Sequence, residues 1–103
     1  MNGKFFDVND VVTFRMTSGE EIIAKYKGDH PTYFEVEAPL MLAQGQNGLQ
    51  MIPPVYSADV LQGSTPLYKN TVMMAAKSKD DAADHYRQTT TGIQVPSKQI
   101  LTG

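Results

Sequence analysis

The feature that most constrains this chain is a two-residue alternation interrupted by turn chemistry. Val11-Val12-Thr13-Phe14-Arg15-Met16 puts Val12, Phe14 and Met16 on one face and Val11, Thr13 and Arg15 on the other. That is the period of a half-buried strand, not of a helix. Thr17-Ser18-Gly19-Glu20 follows, and Gly19 can take the positive φ that a tight hairpin demands. Glu21 to Lys27 then alternates again, with Ile22, Ala24 and Tyr26 opposite Glu21, Ile23, Lys25 and Lys27. The pattern predicts two antiparallel strands.

The same grammar continues down the chain. Gly28-Asp29-His30-Pro31 reads as a turn and Thr32 to Leu42 as a longer third strand, bent or bulged at Pro39 because proline cannot donate to a ladder. Gly45-Gln46-Asn47-Gly48 is a further turn, and Leu49 to Ile52 a short or edge strand that Pro53-Pro54 ends. After a polar loop, Ser57 to Thr65, the Tyr, Thr, Val and Met content of Leu67 to Ala76 predicts a fifth strand. Ser78-Lys79-Asp80-Asp81 has the form of an N-cap with an acid at N3, opening a helix from Lys79 to near Thr90 that Gly92 stops and Pro96 keeps from resuming. Its stripe of Ala82, Ala83 and Tyr86 fits a sheet of this chain or of a neighbour equally well. At 103 residues the chain is sized for one core. The expectation is a single domain over 1–103: a five-stranded sheet at 11–76, a helix at 78–91 and a tail at 92–103.

Composition narrows the function classes. With 9 Lys and Arg against 11 Asp and Glu, the net charge of -2 gives no overall attraction for a polyanion, so nucleic-acid binding would need a local patch. The absence of cysteine excludes disulfides, thiolate zinc sites and a cysteine nucleophile. Apolar runs fall far short of the roughly 20 residues of a membrane helix. The segment Met1-Asn2-Gly3-Lys4-Phe5-Phe6-Asp7 lacks the apolar core of a secretory signal, so the default address is cytoplasmic.

Two stretches carry a family resemblance. Strand, turn and strand with Gly19, Ile22, Ala24 and Tyr26, then an apolar third strand, resembles the first sequence motif of Sm-like proteins over residues 11–42. Tyr68-Lys69-Asn70-Thr71-Val72-Met73 resembles the short motif before the last Sm strand, which reads Tyr-Lys-His in bacterial Sm-like RNA chaperones. Asp84-His85-Tyr86-Arg87-Gln88-Thr89 to Gly92-Ile93-Gln94-Val95-Pro96 is similar to a C-terminal extension of small Sm-like proteins of marine cyanophages. The resemblance implies a mostly β fold: a strongly bent five-stranded antiparallel sheet, a small open barrel, with its helix at the C-terminus instead of the usual N-terminus. It also implies a cyclic homo-oligomer. Edge-strand physics points the same way, since ring closure satisfies edge N–H and C=O groups.

The resemblance further implies candidate RNA-binding residues. His30, Tyr33 and Phe34 fall where Sm proteins receive a base, although the base-reading Asn of that motif is absent here. Tyr33 or Phe34 could stack, and only one of them can face outward, because neighbours on a strand alternate. The plainer alternative makes Phe34 core and Tyr33 an ordinary half-buried strand residue. Lys69 and Asn70 match the pore-facing step of the bacterial form; the alternative is a solvated lysine at a loop exit.

Catalytic and metal chemistry have little to stand on. His30 and His85 lie far apart, Asp81 and His85 share a helical face without further ligands, and Glu35 and Glu37 share a strand face without a predicted cleft. No phosphate loop, nucleophile elbow or triad is present. No cofactor, metal site, catalytic residue or membrane partner is expected. The sequence leaves two functions open: a ring that binds single-stranded RNA weakly, or a ring acting as a phage-encoded interaction or structural module toward a host or phage protein.

Overall fold

The computed structural model of the chain describes residues 5–102, with side-chain surroundings defined for 5–91. The fold is mostly β: an antiparallel six-stranded sheet with one helix after it. The strands are β1 (Val11–Met16), β2 (Glu21–Asp29), β3 (Tyr33–Gly45), β4 (Gly48–Ile52), β5 (Ser64–Tyr68) and β6 (Val72–Lys77). The hairpins form where the turn residues predict them. Gly19 and Gly48 both adopt φ of 109°, and Gly45 pairs with Gly48 across a tight β3–β4 turn.

The expected fifth strand is two strands. A 3₁₀ turn at Lys69–Thr71 separates β5 from β6, and the Thr71 hydroxyl donates to the Tyr68 carbonyl at 2.7 Å to hold it. β5 also begins earlier than predicted and contains Pro66, which an edge strand accommodates by keeping the missing N–H on its unpaired side. β4 and β5 share one edge of β3, with Met41 opposite Ile52 and Glu37 opposite Ser64. Residues 53–63 loop out between them.

The connection between β5 and β6 forces the sheet to curl. β5 pairs with β3 and β6 with β1, so the path between them runs β5-β3-β2-β1-β6. In a flat sheet that is four inter-strand steps, roughly 19 Å. A 3₁₀ turn of this length, rising about 2 Å per residue, cannot bridge it. The two edges are therefore brought together, and backbone bonds fix the corner: Thr17 N–H to the Thr71 carbonyl at 2.8 Å and Lys69 N–H to the Thr32 carbonyl at 2.9 Å. β5 and β6 do not pair with each other, so the sheet is bent but not closed.

Curling gives the sheet an inside and an outside, each with its own core. Val12, Phe14, Ile22, Ala24, Tyr26 and Val36 fill the inside, joined by Met16, Phe34 and Leu67 at its margins. Among them, Val12, Phe14, Met16, Ile22, Ala24 and Tyr26 are the alternate residues that the strand period assigned to one face. Burying a side chain such as Phe14 contributes about 1.5–3 kcal/mol. Outside, Val11, Ile23, Ala38 and Leu40 pack against Ala83 and Tyr86 of the helix α1 (Asp80–Thr102). The helix therefore docks on its own sheet.

A bulge in β3 sets where it docks. Ile23 pairs with Leu40 but Lys25 with Glu37, so β3 carries an extra residue at Ala38-Pro39, and Ala38 sits at φ of 49°. The irregularity expected at Pro39 is thus present. At this bulge the buried Tyr86 hydroxyl donates to the carbonyls of Glu37 (3.0 Å) and Ala38 (2.7 Å).

The helix ends differ from expectation. Ser78 does not cap it: its hydroxyl bonds Thr13 at 2.7 Å, its N–H bonds the Val11 carbonyl, and Asp81 accepts the Ala82 N–H instead. The backbone stays helical through Gly92 to Thr102, so the tail expected from residue 92 is part of α1. Glycine ends a helix only where the chain turns left-handed, and one kept inside a helix costs about 1 kcal/mol.

Burial pushes the Tyr86 phenol up to about 12, with the Glu37 charge adding to the rise and the Lys25 N–H opposing it. The folded state thus holds this proton more tightly than the unfolded chain, whose phenol titrates near 10. The contribution is complete below pH 10 and is lost as pH rises toward 12. Tyr86→Phe is expected to cost about 1 kcal/mol at neutral pH and to flatten the fall in stability over that window. Urea melts at a series of alkaline pH values check it; an unchanged pH slope would refute the assignment.

Candidate functional site

Three segments meet at the corner fixed by the 3₁₀ turn: the end of β2 with its turn to β3, the start of β3, and β5 with the turn itself. All five residues singled out in the sequence lie there. Tyr33 is directly opposite Tyr68, and Phe34 opposite Leu67. Lys69 and Asn70 form the 3₁₀ turn beside them.

Tyr33 and Phe34 point to opposite faces. The Phe34 ring turns inward, 5.4 Å from that of Phe14 and 6.5 Å from that of Tyr26. Lys69 Nζ lies 5.1 Å above it and makes an ion pair with Asp29 Oδ1 at 2.5 Å. The Lys69 charge is thus held by a carboxylate on one side and a ring face on the other, and its side chain is only 34% exposed. Asn70 is exposed at the tip of the turn. Asp29 was legible only as a turn residue, because its pairing with Lys69 depends on the turn that follows β5.

On the outer face, Tyr33 stacks on His30 with ring centroids 4.5 Å apart and planes 8° from parallel. It also meets Tyr68 edge-on at 6.0 Å. His30 Nε2 donates to Glu35 Oε1 at 3.0 Å, and the Ser64 hydroxyl donates to Glu35 Oε2 at 2.8 Å. The His30 bond, the Ser64 bond and the nearby His30 and Lys27 charges hold the Glu35 carboxyl below the usual carboxylate range against a small opposing effect of burial. Tyr33, Glu35, Ser64, Thr65, Pro66 and Tyr68 line a shallow groove of about 430 Å³.

Sequence reading missed Glu35, Ser64 and Tyr68 as members of this face. Glu35 was visible only as a neighbour of Glu37, which instead faces Lys27 at 3.9 Å. The one available signal was the alternation itself, which puts Tyr33 and Glu35 on the same side of β3.

Elsewhere, His85, Asp81 and Ala82 border a second groove of about 530 Å³ between α1 and β4, with Leu42, Leu49 and Met51 as its apolar floor. Among the described residues, no group of three or more His, Asp and Glu side chains is arranged to hold a metal ion. No helix among them is long and apolar enough to cross a membrane. Comparison with protein-family models found no match, and comparison with curated proteins found no significant relative.

Because Glu35 is depressed, its stabilising contribution is present above the ordinary carboxylate pKa and is lost as pH falls through the lowered value. His30→Ala removes the largest cause, so the Glu35 titration should move up toward its ordinary midpoint. Carboxyl-carbon NMR of both proteins reads this directly, and coincident midpoints would refute the role of His30.

Proposed function

We propose that the chain is an Sm-like module that assembles into a homo-oligomeric ring and binds single-stranded RNA weakly. One observation carries the ring: the sheet ends in two open edges, β5 and β6, separated only by a 3₁₀ turn. Unpaired edge groups invite strand addition, and joining β5 of one protomer to β6 of the next repeats head to tail until the rotation closes. Exposed apolar side chains flank the β6 edge: Met73 at 61% and Met74 at 59%. Pro66 withholds one donor from β5, so side-chain burial carries much of the seam.

RNA binding rests on Lys69 and Asn70, repeated around the ring, with Tyr33 as the stacking face. Phe34 supports the site from inside, beneath Lys69, and His30 backs the Tyr33 ring. Stacking contributes about 1–3 kcal/mol per base. The Asp29 carboxylate offsets the Lys69 charge, so binding is weak and falls steeply with salt. That same ion pair, with Glu35 beside Tyr33, favours a second reading: a ring that contacts a protein and not RNA.

Light scattering at micromolar concentration should report an oligomer, and a Met73→Glu, Met74→Glu double variant should report a folded monomer. A wild-type monomer would sink the ring. Labelled U-rich and A-rich RNAs should bind at low salt, and Lys69→Ala should weaken both. A titration flat at every salt concentration leaves the protein-contacting ring as the function.

A further inference from the structure

We infer that the outer groove of β3 and β5 is a docking site for an arginine side chain, taken up by the ring of Tyr68 and the carboxylate of Glu35. This goes beyond the ring and RNA reading and does not depend on it: side chains on the outward face stand clear of the β5 edge, so the groove is open in monomer and ring alike.

The first argument is charge. Glu35 is kept ionised, with each of its oxygens held by one donor, His30 or Ser64. A carboxylate oxygen has room for a second hydrogen bond, so the group is oriented and still able to accept. The nearest positive side chains are engaged elsewhere: Lys69 with Asp29 and Lys27 with Glu37 and Asn9. The groove therefore offers a fixed negative group to an incoming cation.

The second argument is shape. The Tyr33 ring lies flat on His30 and meets Tyr68 edge-on, which gives Tyr68 a packed neighbour while leaving it about half exposed. Tyr68 is paired with Tyr33, and Glu35 lies two residues along the same strand, about 7 Å away on the same face. A planar cation lying on the Tyr68 ring can thus direct its N–H groups along the groove toward Glu35. Guanidinium suits this better than ammonium because it stacks flat and presents a fork of donors to a carboxylate. Pro66, directly opposite Glu35, supplies an apolar floor for the methylene stem.

The experiment is an NMR titration of the full chain with a short acetylated Gly-Arg-Gly amide, run beside the same peptide carrying citrulline, which keeps the shape and loses the charge. Shifts confined to Tyr33, Glu35, Ser64 and Tyr68, with citrulline weaker by at least about threefold, are expected. Glu35→Gln, which preserves the side chain's size, should remove the preference for arginine. Tyr68→Ala, at an exposed position, should weaken binding without unfolding the chain. Equal responses to arginine and citrulline, an unchanged preference in Glu35→Gln, or shifts elsewhere on the surface would each overturn the assignment. RNA binding and oligomeric state can fail or succeed without altering any of these readouts.

Discussion

The fold depends on a chain-length constraint. The strand that pairs with β3 and the strand that pairs with β1 are joined by Lys69–Thr71 alone. Such a short connection cannot cross a flat sheet, so the sheet curls until its edges approach. Curling creates an enclosed apolar face around Phe14 and Val36, and it leaves a convex outer face that has to be covered or solvated. The helix covers one part of that face through Ala83 and Tyr86; the aromatic and acidic groups of β3 and β5 occupy another. The candidate site and the curvature therefore have one origin, because the same turn that bends the barrel carries Lys69 and brings Tyr68 opposite Tyr33.

The paired strands were legible because alternation and turn chemistry agreed. Val12, Phe14, Ile22, Ala24 and Tyr26 are inward as their period requires, and Gly19 and Gly48 occupy the positions that need positive φ. The break between β5 and β6 was not legible, since Lys69-Asn70-Thr71 contains neither glycine nor proline and is held by a hydroxyl-to-carbonyl bond that only the folded chain makes. Ser78 looked like a cap because local sequence cannot reveal that Thr13, distant along the chain, competes for its hydroxyl. The helix was placed correctly at its start and not at its end, because Gly92 is a stop signal only when the backbone turns there.

The site was legible as a set of residues but not as an arrangement. His30, Tyr33, Phe34, Lys69 and Asn70 do converge at one corner. Their chemistry, however, is decided by Asp29, Glu35, Ser64 and Tyr68, whose contacts arise from cross-strand register. Register also divides the two adjacent aromatics. Phe34 supports the lysine from the inner face of the sheet, while Tyr33 builds the outer face. Lys69 is half of an ion pair, and Glu35 is a held acceptor.

The bulge at Ala38-Pro39 ties the helix to the barrel more tightly than their separate cores would suggest. The two carbonyls that receive the Tyr86 hydroxyl sit at the point where β3 has one residue more than β2. Removing that residue would not merely loosen the helix. It would shift the parity of β3 beyond the bulge, turning Leu40 into the barrel and Met41 out of it, so that both cores would lose their complement at once. The C-terminal helix is therefore not a portable appendage: to carry it to another barrel of this shape, the extra residue in the third strand would have to travel with it.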